Sequence, residues 1–187
     1  INFNFYFSQI RNFYYEEISK ISNKNFVIDK MPANFRWIGF ILKSLPEAKI
    51  IHIDRNPMAV CWSNYKTFFI DSGMDFNLSQ KDVAYYYSFY VDLMKFWKQY
   101  FKKQIFHINY ENFVQDYEKN TKKILTYLDL NWEDQIRNYN KNDRVVTTAS
   151  YNQVRGSIKK NTSEEWKKYK DHLKIMQKTL KSKQIDF

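Results

Sequence analysis

The sequence predicts an α/β protein in which a parallel sheet is flanked by helices. Three observations carry that prediction. Short apolar runs at 26–30, 48–54 and 104–109 alternate with segments of helical spacing, which is the pattern of strands joined by right-handed helical crossovers. The run Ala48-Lys49-Ile50-Ile51-His52-Ile53-Asp54 is apolar enough for a strand buried on both faces. It breaks at Arg55-Asn56-Pro57 and resumes with helical spacing through Ala59, Val60, Trp62 and Ser63. Strand, turn and helix therefore follow directly, with a cation at the strand's carboxyl end. In open α/β sheets ligands bind just outside such ends.

The remaining elements follow in order. Residues 1–21 place Phe3, Tyr6, Phe7, Ile10, Phe13, Tyr14, Ile18 and Ile21 at helical spacing, so an amphipathic helix is expected. Phe26-Val27-Ile28-Asp29-Lys30 reads as a short buried strand ended by Met31-Pro32. A helix over 33–44 carries Phe35, Ile38, Phe40, Ile41 and Leu42 on its apolar face and stops at Leu45-Pro46. The helix after Arg55 runs from Pro57, a residue suited to a first turn, to about Phe69. Ser79 is the expected N-cap of a long aromatic helix to about Tyr100, with Val83, Tyr86, Tyr87, Tyr90, Val91, Met94, Phe96 and Trp97 as core. The strand 104–109 leads into Tyr110-Glu111-Asn112-Phe113. Helices are expected over 118–128, 132–139 and 163–180, and the polar segment 141–160 has no clear period.

With 187 residues, 44% of them hydrophobic, the chain can build one real core, and no linker divides it, so residues 1–187 read as a single domain. No apolar run approaches a membrane span, and the start shows no secretory pattern. The single Cys61 excludes an internal disulfide and fits a reducing compartment, so the expected location is cytoplasmic. The first residue is Ile and only three strands are apparent. Both features raise the expectation of a partial domain whose leading strand lies upstream.

The net charge of +10 points to a polyanionic partner or an anionic ligand. Only six of the thirty basic residues are arginines, and a lysine surplus of this kind is commonly a solvated surface. Arg55 stands out among the six. Lys30 ends the first expected strand as Arg55 ends the second, and two cations on one rim repel unless an anion is shared between them. Arg55 pairing with Asp54 or Glu111 is the competing possibility. Tyr110 brings a ring to the same rim. The run Thr147-Thr148-Ala149-Ser150-Tyr151-Asn152-Gln153-Val154-Arg155-Gly156 supplies hydroxyls, backbone N–H groups and an arginine suited to phosphate oxygens. Glycines at only 39, 73 and 156 exclude a Walker-type loop, and His52, His107 and His172 lie too far apart in sequence to suggest a metal centre.

These blocks together resemble the sulfotransferase family. They are Asp29-Lys30-Met31-Pro32; Leu45-Pro46 with Ala48 to Pro57; Ser63 eight residues after Arg55; Asn109-Tyr110-Glu111-Asn112; and Thr148 to Arg155. The nearest branch holds the tyrosylprotein sulfotransferases and the bacterial sulfotransferases fused to tetratricopeptide repeats. The resemblance implies a P-loop nucleotide-kinase-like α/β fold and 3′-phosphoadenosine-5′-phosphosulfate as sulfuryl donor. It implies that Arg55 and Ser63 bind the donor's 3′-phosphate, that Tyr110, Ser150 and Arg155 contact the nucleotide, and that Lys30 is the catalytic cation at the transferring group. No metal is implied. The acceptor would be a hydroxyl on a protein, a carbohydrate or a small molecule. Two departures stand out. Relatives carry a further basic residue where Thr67 follows Lys66, and the family's first strand and 5′-phosphosulfate loop have no counterpart in these residues. The implied reading is a partial domain holding the donor's 3′ end, with weak nucleotide binding and poor turnover by this chain alone. A basic nucleic-acid-binding module and a non-catalytic sulfotransferase-like scaffold are the alternatives. The first of these predicts oligonucleotide binding with a steep salt dependence, whereas the family reading expects no nucleic acid.

Overall fold

A computed structural model describes residues 3–67, 69, 75–141 and 158–187. Ser150 and Arg155 lie outside the described residues. Two strands, β1 (Ile50–Asp54) and β2 (Ile105–Asn109), pair in a parallel two-stranded sheet. The described chain falls into two compact units. One comprises residues 1–50 and 89–105, and the other residues 51–88 and 106–187.

The first unit contains α1 (Phe3–Ile21), a 3₁₀ turn (Pro32–Arg36), α2 (Ile38–Ser44) and the carboxyl half of α4 (Gln80–Tyr100). Ile38, Leu42, Met94 and Ile105 form its buried core, with Phe35, Tyr90, Trp97 and Phe101 packed around them. The Trp97 indole N–H donates to the Phe35 carbonyl at 2.8 Å, which fixes the ring across α2. Helix α1 forms as its period predicts, but none of its residues is buried; Phe3, Phe5, Tyr6, Ile10 and Phe13 are exposed. It is held to α2 and the following turn by polar contacts. Arg11 pairs with Glu47 at 2.7 Å and donates to the Ser44 carbonyl at 3.3 Å, and Tyr15 donates to the other Glu47 oxygen. These interactions depress the Glu47 carboxyl to about 2, with the Arg11 hydrogen bond the largest cause.

Residues 26–30 are not a strand. They have no assigned secondary structure and pair with neither strand, and Phe26 and Ile28 are exposed. An apolar run becomes a strand only when a neighbour takes its backbone hydrogen bonds, and among the described residues the ladder joins β1 to β2 alone. The same shortage explains β1. The expectation of burial on both faces gives way to a half-exposed strand, with Ile51 and Ile53 in solvent. Phe96 of α4, expected in the core, is likewise exposed.

The second unit holds α3 (Pro57–Tyr65), a 3₁₀ turn (Asp75–Leu78), the first turns of α4, α5 (Tyr110–Gln115), α6 (Tyr117–Leu128), 3₁₀ helices at Asp134–Lys141 and Thr162–His172, and α7 (Lys174–Ser182). Met58, Ala59 and Cys61 on α3 are buried, as are Val83, Ala84, Trp166, Leu173, Met176 and Leu180 of the same unit. Caps set the helix starts. The Asn56 side chain accepts from the Ala59 N–H, Ser79 from Asp82, Asn109 from Asn112 and Asp116 from Lys119. Helix α3 packs along the 3₁₀ helix Thr162–His172, with Trp62 against Tyr169 at 4.7 Å between ring centres. That packing carries the amino end of the 3₁₀ helix to the end of β1.

Candidate functional site

Everything at the candidate site is built around the point where β1 ends. Asn56 caps α3 and Pro57 starts it, so the chain must turn immediately after Arg55. The Tyr87 hydroxyl donates to the Arg55 carbonyl at 3.3 Å and holds that turn from α4. Tyr110 is the first residue of α5, directly after β2. Parallel pairing puts the carboxyl ends of β1 and β2 side by side, which brings Tyr110 to Arg55. The guanidinium carbon lies 4.7 Å from the Tyr110 ring centre, over its face.

The 3₁₀ helix closes the other side. Arg55 Nε donates to Ser163 Oγ at 3.0 Å, and Nη2 donates to Thr162 Oγ1 at 3.2 Å. The Tyr110 hydroxyl and Thr162 Oγ1 are 3.2 Å apart, so ring, hydroxyls and guanidinium form one network. Asn161, just before Thr162, has φ 66° in the left-handed region, where Asn is among the few tolerated side chains. That backbone turn aims the two hydroxyls.

Glu111, one of the two carboxylates considered from the sequence, has its hydrogen bonds elsewhere. Glu111 accepts from the Asn56 backbone N–H at 3.1 Å and from Asn109 Nδ2 at 2.9 Å. Burial by itself pushes the Glu111 carboxyl up. Hydrogen bonds from Ser163, the Asn56 and Glu111 backbone N–H groups and Asn109 outweigh it, so Glu111 ionises below the ordinary carboxylate value. Among the described residues no carboxylate forms an ion pair with Arg55. A half-buried cation is thus oriented by neutral hydroxyls and a ring face, with its charge left uncompensated by direct contact.

Ser63 lies half-buried in the last two turns of α3, in the same compact unit as Arg55. Among the described residues no hydrogen bond links the two. Thr67, where relatives are expected to carry a basic residue, donates to the Ser63 carbonyl at 2.7 Å, and Lys66 pairs with Glu165 at 3.4 Å. Lys30 is exposed in the segment before Met31 and belongs to the other unit. The structure therefore brings together Arg55 and Tyr110 of the predicted residues, and adds Thr162, Ser163 and Glu111. Thr162-Ser163-Glu164-Glu165 is legible in sequence only as a helix start; nothing local shows that Ser163 meets a residue 108 positions earlier.

His52 and His107, distant in sequence, are neighbours across the sheet, with Nδ1 atoms 2.9 Å apart. Among the described residues no group of three or more potential metal-ligating side chains occurs. Cys61 is buried on α3, and burial pushes its thiol up to about 12, which removes it as a nucleophile. Among the described residues no helix is long and apolar enough to cross a membrane.

A parallel strand pair followed by helices, with a cation just beyond the strand ends, is an α/β arrangement, and in open α/β sheets that rim is where ligands commonly bind. Comparison with known proteins sharpens this. A family model described as "Sulfotransferase family" matches residues 2–134, a span that includes Lys30, Arg55, Ser63, Tyr110 and Glu111. The chain belongs to the sulfotransferase family. A protein of Aquifex aeolicus (strain VF5), described only as uncharacterized, is 31% identical over 164 residues. The matched stretch covers 86% of this chain and 22% of that protein, so the chain spans about a fifth of its relative's length.

Proposed function

We propose that this chain carries the part of a sulfotransferase site that holds the 3′-phosphate of 3′-phosphoadenosine-5′-phosphosulfate. The observation that carries this reading is Arg55, a half-buried guanidinium held by Ser163, Thr162 and the Tyr110 ring with no carboxylate partner among the described residues. A guanidinium has five N–H donors, of which two hydroxyls here use two; charge and donors remain for a phosphate. Ser63 on α3 supplies a hydroxyl to the same phosphate, and Tyr110, Ser150 and Arg155 contact the nucleotide. In the reaction an acceptor hydroxyl oxygen attacks sulfur, the bond from sulfur to the leaving phosphate oxygen breaks, and the acceptor proton is lost. Charge builds on the leaving phosphate, and Lys30 is the cation assigned to it. The family membership supports donor, reaction and the role of Lys30. The acceptor is a hydroxyl on a protein, a carbohydrate or a small molecule.

Calorimetric titration with adenosine 3′,5′-bisphosphate tests the reading. Saturable binding to the wild-type chain is expected, weakened about 10- to 100-fold by Arg55→Ala, the size of one or two charge-assisted hydrogen bonds. Binding that Arg55→Ala leaves intact, or salt-sensitive binding to any oligonucleotide with none to the bisphosphate, refutes it in favour of a basic nucleic-acid module.

A further inference from the structure

Arg55 is hydrogen-bonded along one edge only. Its Nε donates to Ser163 Oγ at 3.0 Å and its Nη2 to Thr162 Oγ1 at 3.2 Å. A guanidinium is a rigid planar fork. Its Nε–H and the inner N–H of Nη2 point off the same edge, so two adjacent hydroxyls at the start of the 3₁₀ helix take that edge as a pair. The Tyr110 ring covers one face, with the guanidinium carbon 4.7 Å from the ring centre. The Tyr110 hydroxyl, 3.2 Å from Thr162 Oγ1, joins the ring to the same pair. Three N–H groups are left over, both on Nη1 and the outer one on Nη2. Among the described residues none of the three has a hydrogen-bond partner.

We infer that Thr162 and Ser163 are positioning residues of the anion site, which take the Nε edge of Arg55 and leave its end fork, Nη1 with the outer N–H of Nη2, to grip the phosphate. The inference rests on the donor-site reading above and names the edge of the guanidinium that the 3′-phosphate meets. Two oxygens of one phosphate match the two parallel N–H groups of such a fork, so the contact is bidentate and lies in the plane of the group. Two features close the Nε edge to the ligand. Ser163 is only 4% exposed, so an anion reaching that edge would have to prise a buried residue away. The displaced hydroxyls would also lose their donors, at a cost comparable to the bond gained. With one face under Tyr110 and one edge under Thr162 and Ser163, the end of the group is where the phosphate docks. The two hydroxyls lie 107 and 108 positions after Arg55, beyond the family match, which ends at residue 134.

Nitrogen-15 NMR of the arginine side chains in the full chain tests the inference, with the Arg55 signals assigned by their loss in Arg55→Lys. Rotation about the Nε–Cζ bond averages the two Nη nitrogens of a free guanidinium. A group held by one edge should instead show two separate Nη signals before any ligand is added. On titration with adenosine 3′,5′-bisphosphate the Nη1 signal is expected to move more than the Nε signal. Thr162→Val keeps the shape of the side chain and removes the hydroxyl, whereas Thr162→Ser keeps the hydroxyl and removes a methyl group. Thr162→Val is expected to speed exchange between the Nη signals and to raise the Kd for the bisphosphate about tenfold, with Thr162→Ser close to wild type. A packing role for Thr162 would reverse that order. Averaged Nη signals in the unliganded wild type, an Nε signal that moves as far as Nη1, a Thr162→Val chain that binds as wild type does, or a Thr162→Ser chain weaker than Thr162→Val overturns the inference and leaves the donor-site reading standing. Separate Nη signals in a wild type that binds no bisphosphate overturn the donor-site reading, and the assignment of the end fork to a phosphate falls with it. The wild-type spectra need no variant of Thr162, so they decide the matter even where a substituted chain fails to fold.

Discussion

Replacing Gly39 by alanine puts a methyl group where Trp97 already stands. A Cβ at Gly39, in the first turn of α2, would come within 2.7 Å of Trp97 Cη2 and 2.8 Å of Cζ3. Carbon atoms rest about 3.5–4.0 Å apart, so the overlap is about 0.8 Å or more. The ring has little freedom to swing clear. Its N–H is bonded to the Phe35 carbonyl at 2.8 Å, and Phe96 and Phe101 lie with ring centres 4.9 and 5.8 Å from it. Two effects oppose each other. Removing glycine from a helix stabilises it by about 1 kcal/mol. Overpacking costs about 1–3 kcal/mol, and loosening the indole hydrogen bond adds about 1 kcal/mol. The clash wins, and Gly39→Ala is expected to lose about 1–3 kcal/mol. With a urea dependence of about 1–3 kcal/mol per molar, the unfolding midpoint falls by roughly 1 M. Adding Trp97→Phe to Gly39→Ala removes the clashing atoms and should cost less than the two single changes sum to. A Gly39→Ala chain as stable as wild type would refute the reasoning, because it would show that the indole moves aside freely.

Other perturbations test separate parts of the structure. The Cys61 thiol, buried and pushed up to about 12, should stay unreactive to an aromatic disulfide reagent in the folded chain and react promptly in denaturant; fast labelling of the folded chain would show that α3 is wrongly buried. Glu47 is depressed to about 2 in the folded chain, so its contribution is present above its ordinary value of 4.5 and is lost as pH falls through the folded value. The stability difference between wild type and Glu47→Gln should therefore be level from pH 7 to about 5 and shrink steadily below that; a difference that grows on acidification contradicts the Arg11–Glu47 pairing. Asn161 at φ 66° should accept glycine with little change, whereas Asn161→Val should cost about 1–2 kcal/mol and weaken bisphosphate binding by displacing Thr162 and Ser163; equal stability of the two variants would deny the left-handed turn.

The corner around Arg55 was legible because its signals are local. An apolar run, a capping Asn56 and a Pro57 define strand, turn and helix with no help from the rest of the chain. Helix α1 was legible as a helix but not as a surface, since amphipathic spacing reveals a stripe and says nothing of whether a neighbour covers it. The segment 26–30 was misread for a related reason. Val27 and Ile28 give a strand its composition, but only a partner strand gives it hydrogen bonds, and pairing is a long-range property. Tyr110 could be placed at the rim because it follows a strand directly. Thr162 and Ser163 could not, because their meeting with Arg55 depends on α3 packing along a 3₁₀ helix more than 90 residues later.

The way Arg55 is held bears on how such a site can be specific for a phosphate group. A guanidinium salt-bridged to a carboxylate would have to trade one anion for another, and the gain on binding would be the difference between two similar interactions. Hydroxyls are weaker acceptors, so the same guanidinium gains a charge-assisted bond of roughly twice the strength wherever a phosphate oxygen approaches it. Its orientation does not have to be established at that moment, because Ser163, Thr162 and Tyr110 have already fixed the plane, and less side-chain entropy is lost on binding. The cost is borne in the folded chain, where an uncompensated cation stays half-buried near the end of β1. Placing a carboxylate in direct contact with the guanidinium should therefore weaken the anion site, and Ser163→Asp is the substitution that would show it: bisphosphate binding lost. Retained binding in that variant would mean that the phosphate does not depend on Arg55 being left unneutralised.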